Sequence, residues 1–198
     1  MIGMIVVSDR GEQYLPGCLD SVAKWMRPTL PVHIVDDRDH KLGMAGAVRA
    51  GFAHAVEQCW DYAWWMEEDF RFNGTVPLAE MMVILIRRPH LAQVVLKRQA
   101  WSMEERAVGG IMELHPDDYT DHSAGGPLCE YAEHTRVFSL NPCLIPRRVM
   151  MLGWPESNEA GFTETCLHAG YRFAFYGKRA HPPRVTHVGD VRSAGWRL

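Results

Sequence analysis

The sequence predicts an α/β domain built on a mostly parallel β-sheet with helices on both faces. Short apolar runs alternate along the chain with longer segments whose apolar residues recur at helical spacing. The apolar runs are continuous, which is typical of strands buried on both faces of a parallel sheet. The chain has 198 residues, of which 47% are hydrophobic. It is therefore long enough for one domain with a sizeable core.

The first hundred residues contain the most regular alternation. Each predicted strand is a short apolar run that ends at polar residues, and each predicted helix has apolar residues at positions i, i+3, i+4 and i+7. The strands are predicted over 2–7, 32–35, 62–66 and 92–96. The helices are predicted over 15–26, 43–60 and 78–86. Strands and helices that alternate in this way favour a parallel sheet covered on both faces.

Regularity weakens after about residue 100. The segment 102–134 is rich in Gly, His, Asp and Glu, and we expect a long loop there, either a mobile lid or acceptor loop or an ordinary surface insertion. Residues 137–145 return to strand-like character. A helix over 159–169, which ends at Gly170, and a strand over 171–176 follow. We therefore expect a single domain over residues 1–198.

Composition excludes several classes of protein and identifies no partner. The formal net charge is −3, so bulk attraction to nucleic acid is not expected. The five cysteines are widely spaced and lack a CxxC pair, which favours buried thiols in a reducing cytoplasm over a disulfide framework or a zinc knuckle. The most apolar segment, 81–86, is far shorter than a membrane span, and the run 1–7 is too short for a signal peptide. We expect a cytoplasmic protein without a membrane span.

Acidic residues follow each of the first three predicted strands. Asp9 follows the first, Asp36 and Asp37 follow the second, and the Glu-Glu-Asp segment 67–69 follows the third. In parallel α/β sheets, ligands bind beyond the carboxyl ends of the strands. The repeated placement of carboxylates at one edge of the sheet therefore predicts a polar site.

The acidic segment after the third strand has the composition of a cation site. In extended backbone, Glu67 and Asp69 project to one side and Glu68 to the other. Mg²⁺ and Mn²⁺ prefer carboxylate oxygens and bridge them to substrate phosphates. One pair of acids could then serve a metal while the middle acid contacts a sugar or ribose hydroxyl. A solvated acidic turn is the alternative interpretation.

Motifs of several other enzyme classes are absent. The sequence has no P-loop, no nucleophile elbow, no HExxH pair and no zinc-deaminase signature. Residues 43–46 open a helix with two glycines but do not complete GxGxxG. A dinucleotide-dependent dehydrogenase therefore has little support.

The order of these segments resembles that of the GT-A fold glycosyltransferases, specifically those of glycosyltransferase family 2. Residues 5–10 are similar to the family's opening strand, and Asp36 and Asp37 look like its acidic second strand end. Residues 43–51 resemble its G-x-x-x-A-R-N-x-G helix start. Residues 67–69 look like a variant of its DxD-type metal motif. The resemblance covers most of the chain except 102–134.

The resemblance implies a site for a nucleotide-sugar donor and a divalent cation, Mn²⁺ or Mg²⁺. The implied donor-binding residues are Ser8, Asp9, Asp36, Asp37, Arg49, Glu67 and Glu68. Arg49 stands where the family has Asn, and Val48 stands where it has Arg. The implied metal ligands are Asp69, assisted by Glu67 or Glu68, and His187, which resembles a late histidine ligand of some members.

A second similarity concerns the catalytic base. Asn158 and Glu159, with Gly170 beyond them, resemble the family's E-D…G-Y pattern, in which the second acid is the base of inverting members. The resemblance therefore assigns this role to Glu159, although Asn158 replaces the first acid. Glu156 and Glu164 are alternative bases.

The function implied is transfer of a sugar from a nucleotide-diphosphate-sugar donor to an acceptor hydroxyl, with inversion if Glu159 is the base. Residues 1–100 would form the donor half and 101–198 the acceptor and catalytic half. The acceptor, whether glycan, lipid, protein or modified nucleic-acid base, stays open, as does a homo-oligomer. The alternatives are a nucleotidyltransferase, although 8–15 has only one glycine and one arginine, and a non-catalytic nucleotide-sugar-binding protein.

Overall fold

The fold is organised around an eight-stranded mixed β-sheet. A computed structural model describes residues 1–39, 41–126, 129–155 and 158–189. Its strands are β1 (Ile2–Ser8), β2 (Val32–Asp36), β3 (Tyr62–Glu67), β4 (Phe70–Phe72), β5 (Leu91–Val95), β6 (Thr120–Ser123), β7 (Glu130–His134), β8 (Cys143–Pro146), β9 (Arg172–Tyr176) and β10 (Val185–His187). Its helices are α1 (Leu15–Trp25), α2 (Gly43–Glu57), α3 (Leu78–Arg87), α4 (Met103–Val108), α5 (Ile111–Leu114), α6 (Arg147–Met150) and α7 (Glu159–His168).

The strand order in the large sheet is β2-β1-β3-β8-β5-β9-β7-β6. Strand β1 runs parallel to both β2 and β3, and β5 runs parallel to β9. Strand β8 is antiparallel to β3 and β5, and β7 is antiparallel to β9 and β6. Because β8 reverses direction between them, β3 and β5 point the same way. The carboxyl ends of β1, β2, β3 and β5 therefore meet at one edge of the sheet.

Apolar layers cover both faces of the sheet. In β1, Ile5 and Val7 share a buried cluster with Phe52 of α2, whereas Met4 and Val6 share a second cluster with residues of α1 and α3. This alternation follows from the two-residue period of a strand. Both faces of β1 are buried, which explains why its sequence is continuously apolar.

Helix α2 crosses β1 at a glycine. A Cβ on Gly51 would lie 2.9 Å from Ile5 Cγ2 and 3.0 Å from Trp65 Cζ3. The helix ends at Glu57, before the predicted residue 60, because Cys59 has a φ of +54° and Trp60 N–H bonds back to the carbonyl of residue 55. This is the hydrogen-bond pattern of a Schellman motif.

The segment 102–134 differs from the predicted long loop. Its described residues contain α4, α5, a 3₁₀ turn (Pro116–Asp118), β6 and β7. Strands β6 and β7 extend the large sheet at one edge. Strand β6 is the edge strand and β7 lies between it and β9. Both strands are short and contain several polar residues, which hides their strand character in the sequence.

The predicted strand over 137–145 is observed only as β8. Its first half is a loop whose N–H groups bond to helix α7: Phe138 N–H donates to Thr163 Oγ1 at 2.8 Å, and Leu140 N–H donates to Glu159 Oε1 at 2.7 Å. The side chains of Thr163 and Glu159 thus supply the hydrogen-bond acceptors that a neighbouring strand supplies in a β-sheet. The other predicted strands and helices are confirmed, with ends that differ by at most a few residues.

Two further observations concern the whole described chain. All five cysteines are free thiols, of which Cys59 is exposed and four are buried, namely Cys18, Cys129, Cys143 and Cys166. Among the helices of the described residues, none combines the length and apolar character that crossing a membrane requires.

Candidate active site

The carboxyl ends of β1, β2 and β3 bring the predicted acidic segments together. Ser8 is in register with Asp36, and Val7 is in register with Glu67. Asp37 N–H donates to the carbonyl of Ser8 at 2.8 Å, and the N–H of the residue after Glu67 donates to the carbonyl of Val7 at 3.0 Å. The predicted clustering of these strand ends is therefore observed.

Glu68 points into the protein and binds the loop that follows β1. Its carboxylate accepts hydrogen bonds from Ser8 Oγ at 2.6 Å, Asp9 N–H at 3.1 Å and Arg10 N–H at 2.7 Å. The residue is 1% exposed, and burial raises the pKa of Glu68 although these hydrogen bonds lower it. Its oxygens are thus used by the chain itself, and the geometry gives no support to a direct contact between Glu68 and the donor.

Asp69 forms the centre of a buried charged group. Its Oδ2 accepts a hydrogen bond from Arg10 Nη2 and lies 3.0 Å from His187 Nε2. Its Oδ1 is buried without a hydrogen-bond partner in the described chain. Burial alone would raise the pKa of Asp69, but the hydrogen bonds and charges of His187 and Arg10 outweigh it, so the pKa is lowered. Asp69 is therefore a carboxylate at neutral pH.

The small sheet formed by β4 and β10 brings His187 to Asp69. His187 pairs with Phe70, the residue after Asp69, and Val188 N–H donates to the carbonyl of Asp69 at 2.8 Å. A Cβ on Gly189 would lie 2.2 Å from Asp69 Oδ2, so only glycine fits here without displacing the carboxylate. The backbone of β10 thus fixes the pair although 118 positions separate the two residues.

A cleft of about 230 Å³ opens beside this pair. Glu67, Glu159 and His187 all line it, and so do Arg98 and Trp101. A residue predicted to bind the donor, one predicted to hold the metal and the predicted base therefore line the same cavity. The structure shows this convergence, while the roles of these residues stay predictions.

Glu159 is the first residue of α7 and is held by its neighbours. The Asn158 side chain caps the helix, since its Oδ1 accepts from Ala160 N–H at 3.0 Å and Gly161 N–H at 3.4 Å. The N–H of Leu140 donates to Glu159 Oε1 at 2.7 Å. Asn158, which departs from the family's acid, therefore has a structural function as a helix cap.

The alternative bases are placed differently. Glu164 is exposed on α7 and does not line the cleft. Glu156 lies outside the described residues. Of the acids near the start of α7 that the structure describes, Glu159 is the one that borders the cavity.

The other predicted donor residues are more scattered. Asp37 caps α2, because its carboxylate accepts from the N–H groups of Leu42 and Gly43, and it is 4% exposed. Asp36 forms an exposed ion pair with Arg38. Asp9 is partly buried and lies 3.4 Å from Arg10 Nε.

Arg49 is not brought to the cleft. It is exposed on α2 and lines a separate apolar groove beside Phe52 and Trp154. Helix periodicity explains this position, because Val48 and Phe52 face the sheet and Arg49 lies about 100° further round the helix than Val48, on the exposed side. The structure therefore does not support a donor contact by Arg49.

The sequence analysis missed Arg98 and Trp101 as residues of the cleft. Arg98 forms a bidentate ion pair with buried Glu105, with Nη1 2.7 Å from Oε2 and Nη2 3.0 Å from Oε1. Trp101 N–H donates to the same carboxylate at 2.7 Å. The Trp101 ring packs edge-on against His187 with centroids 4.2 Å apart. Both residues follow β5, whose carboxyl end shares the edge of β3. The signal in the sequence is their position directly after the predicted fourth strand, where polar and aromatic residues, as well as acids, can line a site.

The donor set fits a divalent cation that shares its coordination with substrate. No cluster of three or more His, Cys, Asp or Glu ligands forms within the described residues, so they do not build a closed metal cage. Asp69 has a buried oxygen without a partner, and His187 presents an imidazole nitrogen to the same carboxylate. Mg²⁺ and Mn²⁺ commonly bind through one or two protein groups plus substrate phosphates. Asp69 and His187 meet that requirement.

Comparison with known proteins supports the fold only. No protein-family model and no curated protein matches the chain. Among solved structures, A197 from STIV matches with a TM-score of 0.54 and 13% identity over 89% of this chain and 82% of that one. S. aureus TarS 1-349 in complex with UDP-GlcNAc matches with a TM-score of 0.63 and 9% identity over 98% of this chain. TarS 1-349 in complex with UDP matches with a TM-score of 0.58 and 10% identity over 93% of this chain.

The predicted α/β fold of the GT-A type is confirmed. The chain spans about 60% of the length of the TarS chain, so it corresponds to part of that protein. Identities of 9 to 13% show a shared fold and leave membership of family 2 a prediction.

Proposed function

We propose that the protein is a glycosyltransferase that moves a sugar from a nucleotide-diphosphate donor to an acceptor hydroxyl. The observation that carries this proposal is that Glu159, Glu67 and His187 line one cleft, while His187 Nε2 lies 3.0 Å from the carboxylate of buried Asp69. The cleft lies beyond the carboxyl ends of parallel strands, where α/β sheets bind ligands. The TarS structure with UDP-GlcNAc supports a nucleotide sugar as the ligand of a fold of this kind.

Asp69 and His187 would hold a divalent cation, Mn²⁺ or Mg²⁺, against the donor diphosphate. When bound, the cation neutralises charge that develops on the leaving diphosphate. Glu67 borders the same cleft and is placed to orient a donor hydroxyl or a ligand of the cation. Asp9 and Asp36, at the outer ends of β1 and β2, are the remaining candidates for the ribose and base.

Glu159 would accept the proton of the acceptor hydroxyl as that oxygen attacks the sugar. A general base must reach the proton that it removes, and Glu159 borders the cleft that Asp69 and His187 adjoin. Leu140 N–H binds one of its oxygens and so fixes the orientation of the carboxylate. Attack from the face opposite the leaving diphosphate gives inversion at the anomeric carbon.

Trp101 lines the cleft and is 37% exposed, so its ring offers an apolar surface there. An aromatic face of this kind packs well against a sugar ring. A cytoplasmic location, and acceptor contacts from a second copy of the chain, remain predictions from the sequence.

The decisive experiment is a donor screen. Calorimetry with UDP-, GDP- and other nucleotide sugars, with and without Mn²⁺, measures binding, and release of nucleoside diphosphate measures turnover. We expect one donor class to bind in the presence of Mn²⁺ and to be turned over. Asp69→Asn should lose both properties, whereas Asp118→Asn, a change at an exposed aspartate far from the cleft, should keep them.

Other outcomes would favour the alternative functions. Binding of a donor without turnover, with every acceptor class tested, indicates a nucleotide-sugar-binding protein. Preference for nucleoside triphosphates with release of pyrophosphate indicates a nucleotidyltransferase. Absence of any nucleotide binding contradicts the proposal.

A further inference from the structure

Arg10 binds Asp69 and lies close to two other acids, Asp9 and Glu68. Its guanidinium binds Asp69 Oδ2, lies 3.4 Å from Asp9 Oδ1 and lies 3.7 Å from Glu68 Oε1. Its Cζ also lies 4.4 Å from the centre of the Tyr14 ring. The side chain is 14% exposed. Arg10 is thus a largely buried positive charge within a group of three acids.

The three acids need a positive charge when no other cation is present. Ionised carboxylates removed from water are costly unless they are paired. Glu68 is bound by three hydrogen-bond donors of the β1 loop, whereas within the described residues the side chains bound to Asp69 are those of Arg10 and His187. His187 and Arg10 together therefore compensate the charge of Asp69, and Arg10 is the permanently charged member of the two.

Arg10 and His187 share one oxygen of Asp69. Both lie at Oδ2, while Oδ1 has no hydrogen-bond partner among the described residues. A divalent cation held jointly by Asp69 and His187 would have to lie between them, next to the guanidinium. Two positive charges at that distance repel strongly at the low effective dielectric of a buried site.

We propose that Arg10 is an internal counter-ion that competes with the divalent cation for Asp69. The inference rests on the proposed function, because it places the cation at Asp69 and His187. In the unliganded protein, Arg10 keeps Asp69 compensated and lowers its affinity for a free cation. In this proposal, repulsion by the bound cation drives the guanidinium from Oδ2, and the rigid fork of N–H donors on Arg10 is then available for a phosphate group.

This arrangement links cation binding to donor binding. A cation alone must displace Arg10 and leave the guanidinium without its carboxylate. A cation that arrives with a diphosphate brings a new anionic partner for Arg10. Free Mn²⁺ should therefore bind weakly.

The test measures Mn²⁺ binding without nucleotide, by the electron paramagnetic resonance signal of free Mn²⁺. We expect Arg10→Gln to bind Mn²⁺ about tenfold more tightly than the wild type, because the competing charge is removed. Arg10→Lys keeps a positive charge and should stay near the wild-type affinity. Arg136→Gln removes an arginine from an exposed ion pair with Asp118 and serves as the matched control, with unchanged affinity.

Further variants locate the cation and exclude an artefact of folding. Asp69→Asn added to Arg10→Gln should abolish the gain in affinity, and circular dichroism should show that all variants are folded. If Arg10→Gln binds Mn²⁺ no more tightly than the wild type while Asp69→Asn abolishes binding in both, Arg10 does not compete and the proposed cation site stands. If Asp69→Asn leaves Mn²⁺ binding unchanged, or if neither protein binds Mn²⁺, both the competition and the cation site are wrong.

Discussion

The ionisable groups near the two halves of the sheet have different surroundings. In the half formed by β1, β2 and β3, Glu68 and Asp69 are bound by neighbouring groups of the chain, chiefly Ser8 and Arg10. In the half formed by β5, β7 and β9, Glu159 borders the open cleft. His134 of β7 is 3% exposed there and packs against the ring of Phe175.

The difference separates a group that holds the site together from a group that lines the cleft. Glu68 holds the β1 loop in place, so its substitution should change stability. Glu159 accepts a hydrogen bond from Leu140 N–H and lines the cleft, so its substitution should change chemistry. His134 lies outside the cleft, and burial with the nearby charge of Arg136 lowers its pKa to about 4. It is therefore kept neutral at physiological pH.

The largest effect is expected at Glu159. Glu159→Gln keeps the shape and the hydrogen bond from Leu140 but removes the proton acceptor. Sugar transfer should fall by about 10²- to 10⁴-fold, which is the usual contribution of a general base, while donor binding should be retained. The measurement is the rate of nucleoside diphosphate release with saturating donor and acceptor.

Glu164→Gln is the matched control, because Glu164 is an exposed glutamate of the same helix. It should keep the wild-type rate. If Glu159→Gln is as active as the wild type, Glu159 is not the base, and the division of roles between the two halves has to be revised.

A smaller effect, on stability, is expected at Glu68. Glu68→Ala leaves Ser8 Oγ–H and the N–H groups of Asp9 and Arg10 without their acceptor. Buried donors without partners are costly, and we expect a loss of about 3 kcal/mol in the free energy of unfolding. Urea denaturation measures this loss. Glu67→Ala, next to it on the cleft side, should lose less, and equal losses would show that the two glutamates do not differ as described.

The smallest effect is a pH dependence of stability that arises from His134. Its pKa is about 4 in the folded protein and about 6.5 in an unfolded chain. Below pH 6.5 the His134 imidazole therefore binds a proton in the unfolded chain, whereas in the folded protein it stays neutral until about pH 4. The free energy of unfolding should fall by about 2 kcal/mol between pH 7 and pH 5 from this group.

Urea denaturation at the two pH values tests this contribution. His134→Gln should lose about 2 kcal/mol less than the wild type over that interval, and His168→Gln, at an exposed histidine of α7, should behave like the wild type. An unchanged pH dependence in His134→Gln would place the sensitivity elsewhere, with the acids of the β1–β3 half as the next candidates.

Much of the framework could be predicted from the sequence because its signals are local. Continuous apolar runs identify β1, β3 and β5, and helical spacing identifies α1, α2 and α3. The convergence of Asp36 and Glu67 follows from parallel strands that end together. The edge strand β6 and its neighbour β7 were not predicted, because their four and five residues include several polar side chains and show no clear alternation.

The orientation of individual side chains was harder to predict. The prediction that residues 67–69 are extended, with Glu67 and Asp69 on one side, is wrong, because Glu68 and Asp69 form the turn between β3 and β4 and both are buried. Glu68 accepts three hydrogen bonds from the β1 loop there. Arg49 was assigned by alignment to a family motif, but the helix phase set by Val48 and Phe52 turns it away from the cleft. The ion pair of Arg10 with Asp69 depends on contacts between distant segments, which no local pattern in the sequence records.

The pairing of β10 with β4 separates the construction of the large sheet from the positioning of His187. Residues up to 176 supply every strand of the large sheet. The imidazole beside Asp69 is positioned instead by Val185–His187 in the two-stranded sheet, and Gly189 packs against the carboxylate. Loss of the β4–β10 pairing would therefore remove the imidazole from Asp69 without removing a strand of the large sheet.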